Sequence, residues 1–168
     1  MSNDQQSVIP NPIIPGFNPD PTLCRVGDDY FLATSTFEYF PGVPIYRSRD
    51  LVNWRVIGHA LNRPSQLMMR RTDPGGGIYA PSLRFHKGRY YLSTCCVYSR
   101  AGLLVSLYFF TGSSVACYQT DWQLNEARGF YVSTDDIFDE TTWSEPIYFD
   151  SLGIDQDVSH HRTKERSI

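Results

Sequence analysis

One carboxylate of this chain is confined between two prolines. Asp20 follows Pro19 and precedes Pro21 at the threshold of an apolar stretch, residues 22–26. Because proline fixes its own φ and restricts the residue before it, we predict that Asp20 lies in an extended stretch and points in one direction. Such rigidity suits a carboxylate that must be aimed at one place, as acid–base chemistry requires. A solvated aspartate in a turn is the alternative interpretation, since Pro and Asp are common turn residues.

The motif around Asp20 recurs twice along the chain. Residues 77–83 read GIYAPSL and residues 153–158 read GIDQDV, which repeat the order of a glycine, an apolar residue and then the position of Asp20. In this alignment Asp20, Ala80 and Asp155 are equivalent. Because equivalent positions of a repeat occupy equivalent places in the fold, we expect Asp20 and Asp155 to point at one spot despite their separation in sequence.

The segments that follow these motifs predict β-strands. They are rich in Tyr, Phe, Val, Ile and Thr, and in the first unit the predicted strands are residues 22–26, 30–35, 43–48 and 54–60. No stretch shows sustained helical periodicity. Four-stranded units that repeat along a chain are typical of a β-propeller, in which each unit is one blade. A β-sandwich is the alternative, but it gives no reason for the motif to recur before each first strand.

Together these motifs resemble glycoside hydrolase family 43, and most of all its β-xylosidase/α-L-arabinofuranosidase members. The resemblance covers residues 8–158 and is carried by NPI at 11–13, GFNPDP at 16–21, STFEYFPGV at 35–43, SRDLVNW at 48–54, GIYAP at 77–81 and GID at 153–155. It implies an all-β, five-bladed β-propeller with its active site at one end of the central channel. It also implies an inverting hydrolysis of O-glycosyl bonds, with xylose- or arabinose-containing glycans as the carbohydrate substrate.

The same resemblance implies roles for four residues. Asp20 matches the general base of the family. Asp155 matches its third acidic residue, which orients the general acid and raises the pKa of that acid through like-charge proximity. Phe37 and Tyr79 match aromatic positions of the sugar pocket, where many relatives have Trp in place of Tyr79. The structural alternatives are that Phe37 only packs between blades and that Asp155 only caps a turn.

The general acid of the family is a glutamate from a later blade, and no residue of this sequence matches it. The second unit carries extra residues between Ser99 and Asn125. Glu126, Glu140 and Glu145 lie in or near this inserted loop and the outer strands, so we expect none of them to substitute. Residues 159–168 lack the repeat pattern and are polar. We therefore expect residues 1–158 to form a partial propeller, about two blades and the start of a third, without complete catalytic machinery. A domain completed by a partner chain is the alternative.

The bulk composition fits a globular protein and excludes several other classes. The chain has a net charge of −3, 41% hydrophobic residues and 14% aromatic residues, which suits a buried core and leaves no basic footprint for nucleic acid. No apolar run is long enough to span a bilayer. Residues 1–7 lack the apolar core of a signal peptide, so we expect a cytoplasmic location, although full-length relatives are either intracellular or secreted. We expect reduced cysteines, no metal and no cofactor.

Two other functions fit parts of these observations. A noncatalytic carbohydrate-binding fragment would use Phe37 and Tyr79 without any general acid. A five-bladed fructan-hydrolase-like enzyme would also have an early aspartate, but it would need an Asn-Asp-Pro-Asn-like start. The order Asn18-Pro19-Asp20-Pro21 disfavours that enzyme.

Overall fold

The first half of the chain folds into one antiparallel sheet. A computed structural model describes residues 9–67, 72–99 and 128–152, together with residues 155 and 157. The four strands of the first sheet follow chain order and are β1 (Thr22–Val26), β2 (Asp29–Ala33), β3 (Gly42–Ser48) and β4 (Arg55–Leu61). These bounds confirm the four strands predicted from the sequence, to within one or two residues at each end.

A second antiparallel sheet repeats the same order. Its strands are β5 (Thr72–His86), β6 (Arg89–Ser99), β7 (Arg128–Thr134) and β8 (Ile147–Leu152), with a 3-10 helix at Glu140–Thr142 between the last two. The predicted pair of four-stranded units is therefore confirmed. The inserted residues 100–127 and the predicted polar tail, residues 159–168, lie outside the described residues.

The strand register shows which positions of the two sheets are equivalent. Leu23 faces Leu32 in the first sheet, and Leu83 faces Leu92 in the second. Positions 23 and 83 are thus equivalent, and so are positions 32 and 92. Asp20 lies three residues before Leu23, and Ala80 lies three residues before Leu83. The two residues therefore occupy equivalent positions of the repeat, as the sequence alignment predicted.

A shared core joins the two sheets. Phe31 of β2 is 1% exposed, and its ring lies 5.4 Å from that of Tyr90 on β6, in an edge-to-face arrangement. Trp143 and Phe130 are also buried in the cluster that spans both sheets. Burying a large apolar side chain of this kind stabilises the fold by about 1.5–3 kcal/mol. The two sheets therefore pack face to face as neighbouring blades and hold their edges in a fixed relation.

A polar seam closes the outer side of the same interface. Gln66 is fully buried, and its amide nitrogen donates to the carbonyl oxygen of Ser144 at 2.9 Å while its amide oxygen accepts the N–H of Asn62 at 3.0 Å. Arg63 donates to the carbonyl oxygen of Trp143 at 2.6 Å and pairs with Glu145 at 2.8 Å. The connection after β4 is thereby fixed against the approach to β8.

The described cysteines are free and buried, and their redox state stays a prediction. They are Cys24, Cys95 and Cys96, while Cys117 lies outside the described residues. Cys96 belongs to the main core, and Cys95 belongs to a separate small cluster with Val97 and Tyr79. Adjacent residues of a strand point to opposite faces, which explains this division. No helix among the described residues is long and apolar enough to cross a membrane.

Candidate active site

Asp20 has a positive φ of 52°, so the prediction of an extended conformation at this residue is wrong. Ala80 and Asp155 have the same sign, with φ values of 39° and 63°. Asp155 is not followed by proline, so the turn that opens each unit, and not the proline, sets the conformation. A positive φ is uncommon for residues with a side chain, and such conformations concentrate at functional sites.

One oxygen of the Asp20 carboxylate is anchored and the other is open. The hydroxyl of Ser35 donates to Oδ2 of Asp20 at 2.6 Å, and the same hydroxyl accepts the backbone N–H of Ala80 at 2.7 Å. Asp20 is exposed, and Oδ1 has no hydrogen-bond partner among the residues that the structure describes. A carboxylate held at one oxygen in this way can receive a proton at the other.

Asp155 is exposed and lies beside the second sheet. Its backbone makes a hydrogen bond to the thiol of Cys95, and that thiol is 4.0 Å from the carbonyl oxygen of Tyr79. Burial raises the pKa of the Cys95 thiol to about 12, while the hydrogen bond from Asp155 opposes this shift. Tyr79 adjoins Ala80, whose amide contacts Ser35. A continuous series of contacts therefore connects Asp155 with Asp20, and their convergence on one spot stays a prediction.

Aromatic rings form a cluster that includes Tyr79, the neighbour in sequence of Ala80. The rings of Phe37 and Tyr79 are 4.6 Å apart at an interplanar angle of 56°, and both residues are half-buried. Phe17 adds an edge-to-face contact with Phe37 at 5.3 Å, and Tyr39 adds one with Phe17 at 5.9 Å. Phe17 and Tyr39 are 57% and 61% exposed, so the cluster presents ring surface to solvent. We call these four residues the aromatic cluster.

Sequence reasoning missed Phe17 and Tyr39 as members of this cluster. The signal was present, since Phe17 opens the motif that contains Asp20 and Tyr39 stands two residues after Phe37. Neither position repeats in the second unit, and only the folded chain shows that the two rings meet. Apolar faces of sugars pack on such rings, because flat aromatic surface buries apolar area at small entropic cost.

A close backbone approach places Phe37 against the second sheet. Phe37 and Ile78 exchange two backbone hydrogen bonds, each of 3.0 Å, in a β-bridge between the sheets. A Cβ atom on Gly77 would lie 2.0 Å from the carbonyl oxygen of Phe37, and the φ of Gly77 is 100°. Only glycine fits here. The hydroxyl of Tyr79 also donates to the carbonyl oxygen of Gly75, which orients its ring.

The glutamates considered as substitutes for a general acid are placed elsewhere. Glu140 accepts the N–H of His59 at 3.2 Å, and Glu145 pairs with Arg63, so both belong to the seam between the sheets. Glu126 lies outside the described residues. Sequence reasoning did not consider Glu38, which adjoins Phe37 and accepts the N–H of Gly75 at 3.3 Å. That contact engages Glu38 with the backbone of β5.

A metal site and a cavity were the other candidates for a functional site among the described residues. No group of three or more His, Cys, Asp or Glu side chains within the described ranges could hold a metal ion. A cavity of about 280 Å³ is lined by Arg47, Asn53 and Trp54, at the opposite end of the first sheet from Asp20. Arg47 and Arg49 of that region both pair with Asp29, which makes the region an ion-pair cluster.

Comparison with known proteins identifies the family. The model for "Glycosyl hydrolases family 43" matches residues 9–166. A xylan 1,3-β-xylosidase from Vibrio sp is 43% identical over 154 residues, covering 92% of this chain and 25% of that protein. A non-reducing end α-L-arabinofuranosidase from Bacteroides ovatus is 58% identical over 88 residues, covering 52% of this chain and 17% of that protein.

Solved structures give the same result. The crystal structure of a xylan β-1,4-xylosidase from Bacillus halodurans C-125 has 41% sequence identity and a TM-score of 0.73, covering 92% of this chain and 25% of that one. The chain thus spans about a quarter of the length of these relatives. The fold of such enzymes is a five-bladed β-propeller, and the two sheets of this chain form part of it. On both sequence and structure, the chain belongs to glycosyl hydrolase family 43.

Proposed function

We propose that this chain contributes to the active site of a glycoside hydrolase that acts on xylose- or arabinose-containing glycans. One observation carries the proposal above all others. Asp20 is held at a single oxygen by Ser35 and is open to solvent at the other, and Ser35 also contacts Ala80, which adjoins Tyr79 of the aromatic cluster. The xylosidase and arabinofuranosidase relatives support the substrate class.

In this proposal Asp20 is the general base of an inverting reaction. Its free oxygen takes a proton from a water molecule, and the oxygen of that water forms a bond to the anomeric carbon. The glycosidic bond breaks as the leaving oxygen receives a proton from a general acid. Base and acid of an inverting pair stand about 6.5–9.5 Å apart, because the water must fit between the base and the sugar. Asp155 acts as the modulator that orients the acid and raises its pKa.

In this proposal the general acid is a glutamate other than those that the structure describes. Among the described glutamates, Glu140 and Glu145 are engaged in the seam and Glu38 contacts the backbone of β5. Resemblance to the family assigns the acid to a later blade. We therefore expect the 168 residues alone to show no measurable hydrolysis of aryl β-xylosides or aryl α-arabinofuranosides.

Phe37 and Tyr79 bind the sugar ring in this proposal, and Phe17 and Tyr39 extend the same surface. The exposed rings of the aromatic cluster also favour a second candidate function, which is carbohydrate binding without catalysis. Binding by stacking needs no general acid, so the chain could bind sugar even where it cannot hydrolyse it. The two functions differ in whether Asp20 is required for turnover.

A hybrid enzyme tests the proposal. Residues 9–158 of this chain replace the matching segment of the Vibrio xylan 1,3-β-xylosidase, and proton NMR follows the first anomer released from an aryl β-xyloside. We expect hydrolysis, with α-xylose appearing before the β-anomer because the reaction inverts configuration. A hybrid that melts cooperatively but binds sugar without hydrolysis would favour the binding function, and release of β-xylose first would contradict the assignment of Asp20 as a base.

A further inference from the structure

We propose that Ser35 is the positioning residue of Asp20 and that it ties the direction of this carboxylate to the contact between the two sheets. The role assigned to Asp20 itself rests on the function proposed above. The geometry that holds Asp20 stands on its own, since it consists of hydrogen bonds among described residues.

The hydroxyl of Ser35 has one proton, and its surroundings decide where that proton points. The backbone N–H of Ala80 lies 2.7 Å from Oγ, and an N–H can only donate. Oγ therefore accepts a hydrogen bond from the second sheet. Its own proton is donated to Oδ2 of Asp20, at 2.6 Å. A serine without the Ala80 contact could rotate its proton elsewhere. The docked second sheet thus makes Ser35 a fixed donor to Asp20.

Ser35 itself has little freedom to move. It is 1% exposed, and its backbone N–H donates to the carbonyl oxygen of Pro19 at 3.0 Å. One residue therefore holds both the peptide before Asp20 and the carboxylate of Asp20. Asp20 itself has the positive φ of the turn that opens each unit, and these two contacts hold the chain before it and its carboxylate in place.

The second sheet offers an internal comparison. Ala33 and Ser93 hold equivalent places in the register, so two residues further on Ser35 corresponds to Cys95. Cys95 also accepts a hydrogen bond from the backbone of the residue that opens the next unit, Asp155. Both positions thus link one unit to the next. A thiol is a weak donor, and it occurs where Ala80 replaces the carboxylate. The strong hydroxyl donor occurs where a carboxylate must be held.

The test follows the side chain of Asp20 by NMR in the 168-residue protein. Three-bond couplings between Hα and Hβ report whether Asp20 occupies one staggered rotamer, and amide hydrogen exchange reports the Ala80 contact. In the wild type we expect a single rotamer and a protected Ala80 amide. In Ser35→Ala we expect rotamer-averaged couplings and roughly two- to tenfold faster exchange at Ala80. Ser35→Thr, which keeps the hydroxyl, should restore the single rotamer.

Ser48→Ala is the matched control. Ser48 is also buried, ends β3 of the sheet whose strand β2 leads to Ser35, and donates to a carboxylate, that of Asp50, at 2.9 Å. It lies at the end of the sheet away from Asp20, where it pairs with Tyr30. We expect Ser48→Ala to lower stability and to leave the couplings of Asp20 unchanged. Equal averaging in both serine variants would mean that Ser35 is merely structural and would overturn the inference.

A second variant covers the case in which Ser35→Ala does not fold. If Ser35→Ala does not fold, Ser35→Cys copies the residue that the second sheet uses, and it should show averaged couplings at Asp20 with the Ala80 amide still protected. A single rotamer in Ser35→Cys or Ser35→Ala, or averaging in the wild type, overturns the positioning role. An inactive hybrid enzyme in which Asp20 keeps one rotamer would contradict the proposed function and leave this inference intact.

Discussion

At the scale of single residues, the same turn carries different chemistry in each unit. Asp20, Ala80 and Asp155 all have positive φ, but only two of them have a carboxylate. An aspartate tolerates this conformation better than most residues. An alanine is strained in it and has no polar side chain that could make a compensating contact. The repeat therefore gives each unit the same backbone turn, and the residue at the equivalent position determines whether that turn carries a carboxylate. In the second unit, Ala80 offers only its backbone N–H, which Ser35 accepts.

Gly77 gives a prediction at this scale, with its neighbour Gly75 as the control. Both glycines have positive φ, so an alanine at either is strained, but only at Gly77 would the Cβ collide, 2.0 Å from the carbonyl oxygen of Phe37. We expect Gly77→Ala to lower the free energy of unfolding by about 1–3 kcal/mol more than Gly75→Ala. Urea denaturation measures the difference. Equal losses in the two variants would show that the bridge between Phe37 and Ile78 tolerates displacement.

At the scale of strands and their connections, side chains from one sheet complete the hydrogen bonds of the other. Gln66, after β4, reaches the carbonyl oxygen of Ser144 ahead of β8, and Arg63 reaches that of Trp143. Buried backbone groups need partners, so these contacts fix how the two sheets meet. The seam lies on the outer side of the interface, while the contacts of Ser35 and Phe37 lie on the side of the candidate site.

Replacing Gln66 should show how much this seam contributes. Gln66→Ala removes a fully buried amide and leaves the N–H of Asn62 and the carbonyl of Ser144 unpaired. We expect a loss of about 2–4 kcal/mol in the free energy of unfolding. Ser65→Ala, which removes an exposed hydrogen bond to Glu145, should cost less than about 0.5 kcal/mol. Thermal and urea unfolding of the two variants compare them directly.

The strands were predictable from the sequence, while the contacts between units were not. Turn residues and β-rich segments are local signals, and they placed all four strands of the first sheet close to their observed bounds. The conformation of Asp20 was predicted wrongly because the rule for a residue before proline is also local. Its positive φ belongs to the turn that opens each unit, and its carboxylate contacts Ser35, which is 15 residues away in sequence. Phe17, Ser35 and Tyr39 all lie in the motifs at 16–21 and 35–43, but a motif does not show which of its residues meet in the fold.

At the scale of the whole molecule, two sheets share one core and bring their repeated turns to the same edge. Phe31 packs against Tyr90 across the interface, and the bridge between Phe37 and Ile78 closes it near the candidate site. The described residues thus include the proposed base, the proposed modulator and exposed ring surface, whereas the described glutamates all make contacts elsewhere. This division fits a chain that spans about a quarter of the length of its relatives.

Buried thiols and phenols make the fold sensitive to alkaline pH. Burial raises the pKa of Cys95 and of Tyr90 to about 12, above the ordinary values of 9.0 and 10.0, and it raises the pKa of Cys24 as well. The folded protein then holds more protons than the unfolded chain between about pH 9 and pH 12. Stability is therefore fully present below about pH 9 and falls as the pH rises toward 12.

Urea denaturation between pH 8 and pH 11 measures this dependence. Cys95 alone can contribute up to about 1.4 kcal/mol per pH unit within the window. We expect Cys95→Ala to reduce the slope of stability against pH, whatever its effect on stability at pH 8. A slope that is flat to pH 11 in the wild type, or unchanged in Cys95→Ala, would contradict the burial of these groups as the cause.

The central claim is that Asp20 acts as a general base, and the turnover of the hybrid enzyme measures it most directly. Asp20→Asn keeps the size of the side chain and removes its basicity, and Asp28→Asn makes the same change in the exposed turn between β1 and β2. We predict that Asp20→Asn lowers kcat by about 10²- to 10⁴-fold with KM nearly unchanged, while Asp28→Asn retains full turnover. Equal turnover in the two variants would contradict the account.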